Sequence, residues 1–142
     1  MKKKFSTSWI GSRQVRKQRK YRANAPFHIR HKLMTASLSK ELRKKYGKRS
    51  FPLRKGDEVK VMAGKFKKKK GKATEIDLTK LRVSIEGLQM QKKDGTKINV
   101  YFSPSNLQIQ ELNLDDKERM KRLKIKEEKT GEENAPKKTA NK

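Results

Sequence analysis

Between residues 52 and 112 apolar side chains recur at every second position in short runs. Val59 and Val61 flank Lys60, Leu81, Val83 and Ile85 flank Arg82 and Ser84, Ile98, Val100 and Phe102 flank Asn99 and Tyr101, and Leu107 and Ile109 flank Gln108. Period two marks strands with one face in a core and the other in water. Ala73 and Ile76 stand three apart, which breaks the alternation and predicts a β-bulge of the kind that bends small barrels. Asp94-Gly95 predicts a tight turn between Met90 and Ile98. Five short strands within about sixty residues predict a mainly β fold, a small SH3-like antiparallel barrel over 51–112.

The flanks lack this alternation. Phe27, Leu33 and Met34 predict a short helical turn, and Leu38, Leu42 and Tyr46 predict a second helix with Ser37 as N-cap and Gly47 as C-cap. Residues 26–50 therefore read as a short helical segment whose narrow apolar stripe packs on the barrel. Upstream, Arg13, Arg16, Lys17, Arg19, Lys20 and Arg22 offer no apolar period that could bury a face. Residues 1–25 read as a basic arm without a fold of its own, ordered only by a partner. Downstream, Asn113 with Asp116 predicts a capped helix over 113–126, and the Lys, Glu, Thr, Asn and Pro of 127–142 predict a disordered tail.

Charge adds what the pattern omits. The chain of 142 residues has 41 Lys and Arg against 15 Asp and Glu, a formal net charge of +26. Residues 1–50 hold 17 of the basic residues and a single acid, Glu41. Such an excess destabilises a compact state by self-repulsion and calls for a polyanionic partner. With no cysteine, disulfide frameworks and thiolate metal sites are excluded. Met1–Lys4 imitates the start of a signal peptide, but Phe5–Ser12 is too short and polar to be its apolar core. With no run long enough to span a bilayer, a cytoplasmic location is expected.

Catalytic chemistry finds no footing. His28 and His31 stand one helical turn apart, yet no nearby carboxylate or thiolate completes a metal site. Ser37 and Ser39 have only Glu41 to orient a histidine. Asp57, Glu58, Asp77 and Asp94 fall at strand ends and turns, where acids are ordinary surface residues. Gly64 to Gly71 lacks the Gly-Lys-Ser/Thr ending of a phosphate-binding loop. No enzyme activity, cofactor, metal or small-molecule substrate is expected. The arm speaks for binding: its cations alternate with Trp9, Gln14, Gln18, Tyr21 and Asn24, which can stack on or hydrogen-bond to unpaired bases. Membrane-binding arms carry an amphipathic apolar face, and this one does not. With no recognition helix of a DNA-reading type, RNA is the expected partner.

Arg54-Lys55-Gly56-Asp57-Glu58-Val59-Lys60-Val61-Met62-Ala63-Gly64-Lys65-Phe66-Lys67, closed by Gly71-Lys72, resembles a KOW motif, which ribosomal proteins share with transcription elongation factors. The flanks Asn24-Ala25-Pro26, Arg30-His31-Lys32-Leu33-Met34, Leu38 to Gly47 and Pro104-Ser105-Asn106 narrow the choice. Together they resemble the large-subunit ribosomal protein family numbered twenty-four in bacteria and twenty-six in eukaryotes, in its archaeal and eukaryotic form. The resemblance implies a KOW-type barrel bound to large-subunit rRNA near the polypeptide exit tunnel, beside other ribosomal proteins, with a role in early subunit assembly. The RNA contacts expected are Arg13, Arg16, Lys17, Arg19, Lys20, Tyr21 and Arg22 in the arm, then His28, Arg30, His31 and Lys32. In the loop they are Lys65, Lys67, Lys68, Lys69, Lys70 and Lys72, with Phe66 alone packing on the barrel. Lys68 replaces the family's usual glycine, and its Cβ resists positive φ. The alternatives are a KOW-bearing transcription elongation factor, which would carry an α/β domain ahead of the motif, and a small RNA-processing enzyme, which would need an acid cluster.

Overall fold

A computed structural model of the chain describes residues 5–123. Its strands are β1 (Thr35–Leu38), β2 (Ser50–Pro52), β3 (Glu58–Val61), β4 (Lys70–Asp77), β5 (Arg82–Gln91), β6 (Lys97–Phe102) and β7 (Leu107–Glu111). They join in the order β2-β1-β7-β3-β4-β5-β6. Every pairing is antiparallel except that of β1 with β7, which is parallel through Ser37 with Gln108 and Leu38 with Ile109. The fold is mainly β, small and barrel-like, as the alternation predicts.

The bend that curls the sheet lies in β4. Residues 70–72 pair with β3, residues 73–77 pair with β5, and the register slips between Ala73 and Glu75. This is the expected bulge. A Cβ at Gly71 would stand 2.7 Å from Ile85 Cγ2 and 2.9 Å from the Glu86 carbonyl oxygen, so the corner closes only on glycine. Val59, Val61, Val83, Leu107 and Ile109 turn inward and are fully buried with Met34 and Leu38. Ile98, expected inside, is 44% exposed opposite Met90, because the ends of β5 and β6 pair only with each other there.

The segment before the barrel is more β than expected. Ser37 is no N-cap, since it lies in β1 between Ala36 and Leu38, which are buried on the same face. Four residues of alternation were too short a signal to outweigh the longer fourfold spacing. The helix is α3 (Lys40–Tyr46), capped by Ser39, whose hydroxyl accepts the Leu42 N–H at 3.3 Å, and ended by Gly47 at φ 63°. Leu42 and Tyr46 pack on the core as expected.

The basic arm also differs from its expected form. It folds as α1 (Val15–Asn24), and the helical turn expected after it is α2 (Phe27–Leu33). An isolated helix of ten residues is marginal in water, so tertiary contacts must hold it. The Tyr21 ring lies 5.0 Å from that of Phe5, the Gln18 amide donates to the Trp9, Ile10 and Ser12 carbonyls, and Lys17 Nζ lies 4.0 Å from the Trp9 ring centre. A few contacts between residues six to sixteen apart replace the apolar stripe that the sequence lacks. After the barrel, α4 (Lys117–Leu123) begins at Asp116 rather than Asn113: Asp116 accepts the Glu118 N–H through its side chain and the Met120 N–H through its carbonyl. The expected extension of this helix to 126 and the tail over 127–142 lie outside the described residues.

Asp57 corrects the reading of the acids as surface groups. It is fully buried, and its carboxylate accepts two hydrogen bonds of 2.7 Å from the Arg119 guanidinium, one from the Arg54 N–H and one from the Asn113 N–H. Arg119 also donates to the Asn113 and Pro52 carbonyls. This pair fastens α4 to the start of the barrel.

Candidate nucleic-acid interface

The loop between β3 and β4 presents its lysines by backbone geometry. Lys68 N–H bonds to the Val61 carbonyl and Val61 N–H to the Lys69 carbonyl, while Lys67 N–H closes on Gly64. Lys68 does adopt positive φ, 72°, the conformation that glycine would take without strain. Lys65, Lys67, Lys68, Lys69, Lys70 and Lys72 are exposed. Phe66 is half-buried against the core, edge-on to Phe102 with centroids 5.9 Å apart, and Lys69 Nζ lies 5.3 Å from its ring centre. The loop is pinned by one aromatic and otherwise open to solvent.

Behind it runs a groove of about 540 Å³ between α1 and the barrel. Arg19 and Arg22 line one side, Lys80 and Arg82 the other, with Thr79, Ser103 and Ser105 between them and no acidic residue in the lining. Lys80 and Arg82 were missed in the sequence because each stands alone in its run. Their turn is fixed by Asp77, whose carboxylate accepts the Thr79 and Lys80 N–H groups. Those bonds, that to Lys80 foremost, hold the Asp77 carboxyl below its ordinary pKa. The groove wall at 103–105 leads into Asn106, whose carbonyl accepts the Met62 N–H at the mouth of the lysine loop. Residues 103–106 thus link the groove wall to the mouth of the loop.

The remaining expected residues divide by environment. Arg16 and Lys20 are exposed on α1, and Arg13 is exposed just ahead of it. Tyr21 is only 5% exposed, so its ring packs rather than stacks on bases. Arg30 is engaged inside the fold: Nε donates to the Ala25 carbonyl, Nη2 to Ala23 and Nη1 to Thr79, which ties the end of α1 to the β4–β5 turn. His28, His31 and Lys32 line a separate cleft with Lys55 and Arg122. Among the described residues no three His, Cys, Asp or Glu side chains converge as a metal site would require, and no helix is long and apolar enough to cross a membrane.

The sequence model of one family, described as the ribosomal proteins L26 of eukaryotes and L24 of archaea, matches residues 12–126. The chain belongs to this family. The large ribosomal subunit protein uL24 of Methanosphaera stadtmanae is 44% identical over 115 residues, covering 81% of this chain and 98% of that protein. The L26/L24 family is the large-subunit ribosomal family that the KOW motif and its flanks resemble. Its match takes in α1, α2, α3, the barrel and α4 together, whereas an elongation factor would share the motif alone.

Proposed function

We propose that this member of the L26/L24 family is a structural, rRNA-binding constituent of the large subunit, working by electrostatic grip and not by catalysis. The observation that carries the reading is a basic strip made of Arg19, Arg22, Lys80 and Arg82 around a groove with no acid in its lining, together with the exposed lysine loop. Each phosphate that a cation neutralises releases counterions, and exposed side chains on a braced backbone meet phosphates with little ordering cost. The partners are large-subunit rRNA and neighbouring ribosomal proteins. A place near the polypeptide exit tunnel and an early part in subunit assembly follow from family resemblance.

Replacing Lys67, Lys68, Lys69 and Lys70 by glutamine tests the grip. The log-log salt dependence of rRNA binding should flatten by about three, at roughly 0.7 to 0.9 per contact. The melting temperature should hardly fall, since none of the four lysines is buried. An unchanged slope would reduce the loop to a solubilising surface and leave the binding to α1 and the groove.

A further inference from the structure

The cleft between α2, the β2–β3 connection and α4 has a composition that phosphate neutralisation alone does not require. It encloses about 700 Å³, within the range of small-ligand sites. Ile76, Leu78 and Pro52 contribute apolar surface to it, and all three are half-buried. His28 and His31, three residues apart on α2, present two exposed imidazoles on one wall, next to Lys32. Lys55 and Arg122 stand on the other elements. Among the described residues no carboxylate pairs with Lys32, Lys55 or Arg122, whereas Arg54 is tied to Asp116 and Arg119 to Asp57. The Asp57–Arg119 pair holds α4 in place and so keeps Arg122 facing α2 across the cleft.

Cations alone would suit any anion. An apolar floor flanked by flat, polarisable rings suits a nucleobase, because single-stranded RNA is read by splaying bases out and stacking them on aromatic side chains, histidine included. We propose that this cleft receives one unstacked nucleotide of the bound RNA, its base on Ile76 and Leu78 against the imidazoles and its flanking phosphates on Lys32, Lys55 and Arg122. An acidic peptide would satisfy the cations but leave the rings and the apolar floor without a planar partner. The inference rests on the rRNA-binding reading above and adds to it a base-contacting site, which the basic strip does not contain.

Two measurements on the full chain test it. In methyl and imidazole NMR, AMP and UMP should shift the Ile76 and Leu78 methyls and the His28 and His31 ring signals, and inorganic phosphate should leave the methyls in place. Phosphate reproducing the methyl shifts, or a glutamate-rich peptide moving them where nucleotides do not, would overturn the proposal. In rRNA binding, His28→Ala with His31→Ala should weaken affinity roughly five- to 150-fold for one lost stacked base while keeping the salt slope. Lys32→Gln, Lys55→Gln and Arg122→Gln together should instead flatten the slope by about two to three. These residues are exposed, so both variants should melt with the wild type. Wild-type binding matched by both variants would remove the cleft and leave the strip, whereas a wild-type chain without salt-dependent rRNA binding would remove both readings.

Discussion

Asp57 receives four hydrogen bonds inside the fold, two of them from backbone N–H groups, so Arg119 is only half of what it satisfies. Arg119→Leu would leave a fully buried carboxylate without its counter-ion and should cost roughly 3 to 5 kcal/mol in urea denaturation. Replacing both partners by apolar residues, often neutral for buried pairs, should not rescue this protein. It would orphan the Arg54 and Asn113 N–H groups, at about 1 to 3 kcal/mol each. Lys68 presents the opposite case, a functional side chain held in an unfavourable backbone conformation at φ 72°. Lys68→Gly should therefore raise stability by about 0.5 kcal/mol, after the entropy cost of glycine is set against the strain relieved. The same variant should lower the rRNA salt slope by about 0.7 to 0.9, so that stability and binding move in opposite directions.

Arg30 shows why the arm could not be read as a folded element from its own residues. Its guanidinium bonds to three carbonyls, at Ala23, Ala25 and Thr79, and the last lies 49 residues away. Arg30→Met should free α1 from the β4–β5 turn, seen as faster trypsin cleavage at Arg19 and Arg22 while the barrel core stays protected. Undiminished protection would mean that Phe5 and Tyr21 suffice to hold the helix. The same locality explains what the sequence does reveal. Strands β3, β5, β6 and β7 carry their own alternation, and the bulge at Ala73 and the turn at Gly95 are written in adjacent residues. Strand β1 is four residues long and owes its place to β2 and β7, so spacing within its own run pointed to a helix. Among the candidate contacts, the lysine loop was evident as a run. Lys80, Arg82, Lys55 and Arg122 join the interface only through the topology, and Tyr21 leaves it through packing.

At the scale of the whole molecule, a net charge of +26 means that loss of any carboxylate charge sharpens an existing self-repulsion. The Arg54 guanidinium above all holds the Asp116 carboxyl below its ordinary pKa, as the Lys80 N–H does for Asp77 and the Thr96 hydroxyl for Asp94. Each binds a proton less readily folded than unfolded, so its contribution is complete above the unfolded value and is lost as pH falls through the folded one. Melting temperature should stay level from neutral pH to about 5 and drop below about 4. Asp116→Asn should give a shallower acid limb in melts across that range; an unchanged limb would mean that Asp116 adds nothing. The parallel seam of β1 and β7 carries a consequence in time. Ser37 and the Leu107 carbonyl that its hydroxyl meets are 70 residues apart in the chain. At translation rates of about 5 to 20 residues per second, β1 is synthesised on the order of ten seconds before β7 exists to cover it. For that interval Ala36 and Leu38 lack their eventual neighbour while the cations of α1 are already made. A nascent chain of this protein must therefore keep an unfinished strand from wrong pairings until β7 has been made to close it.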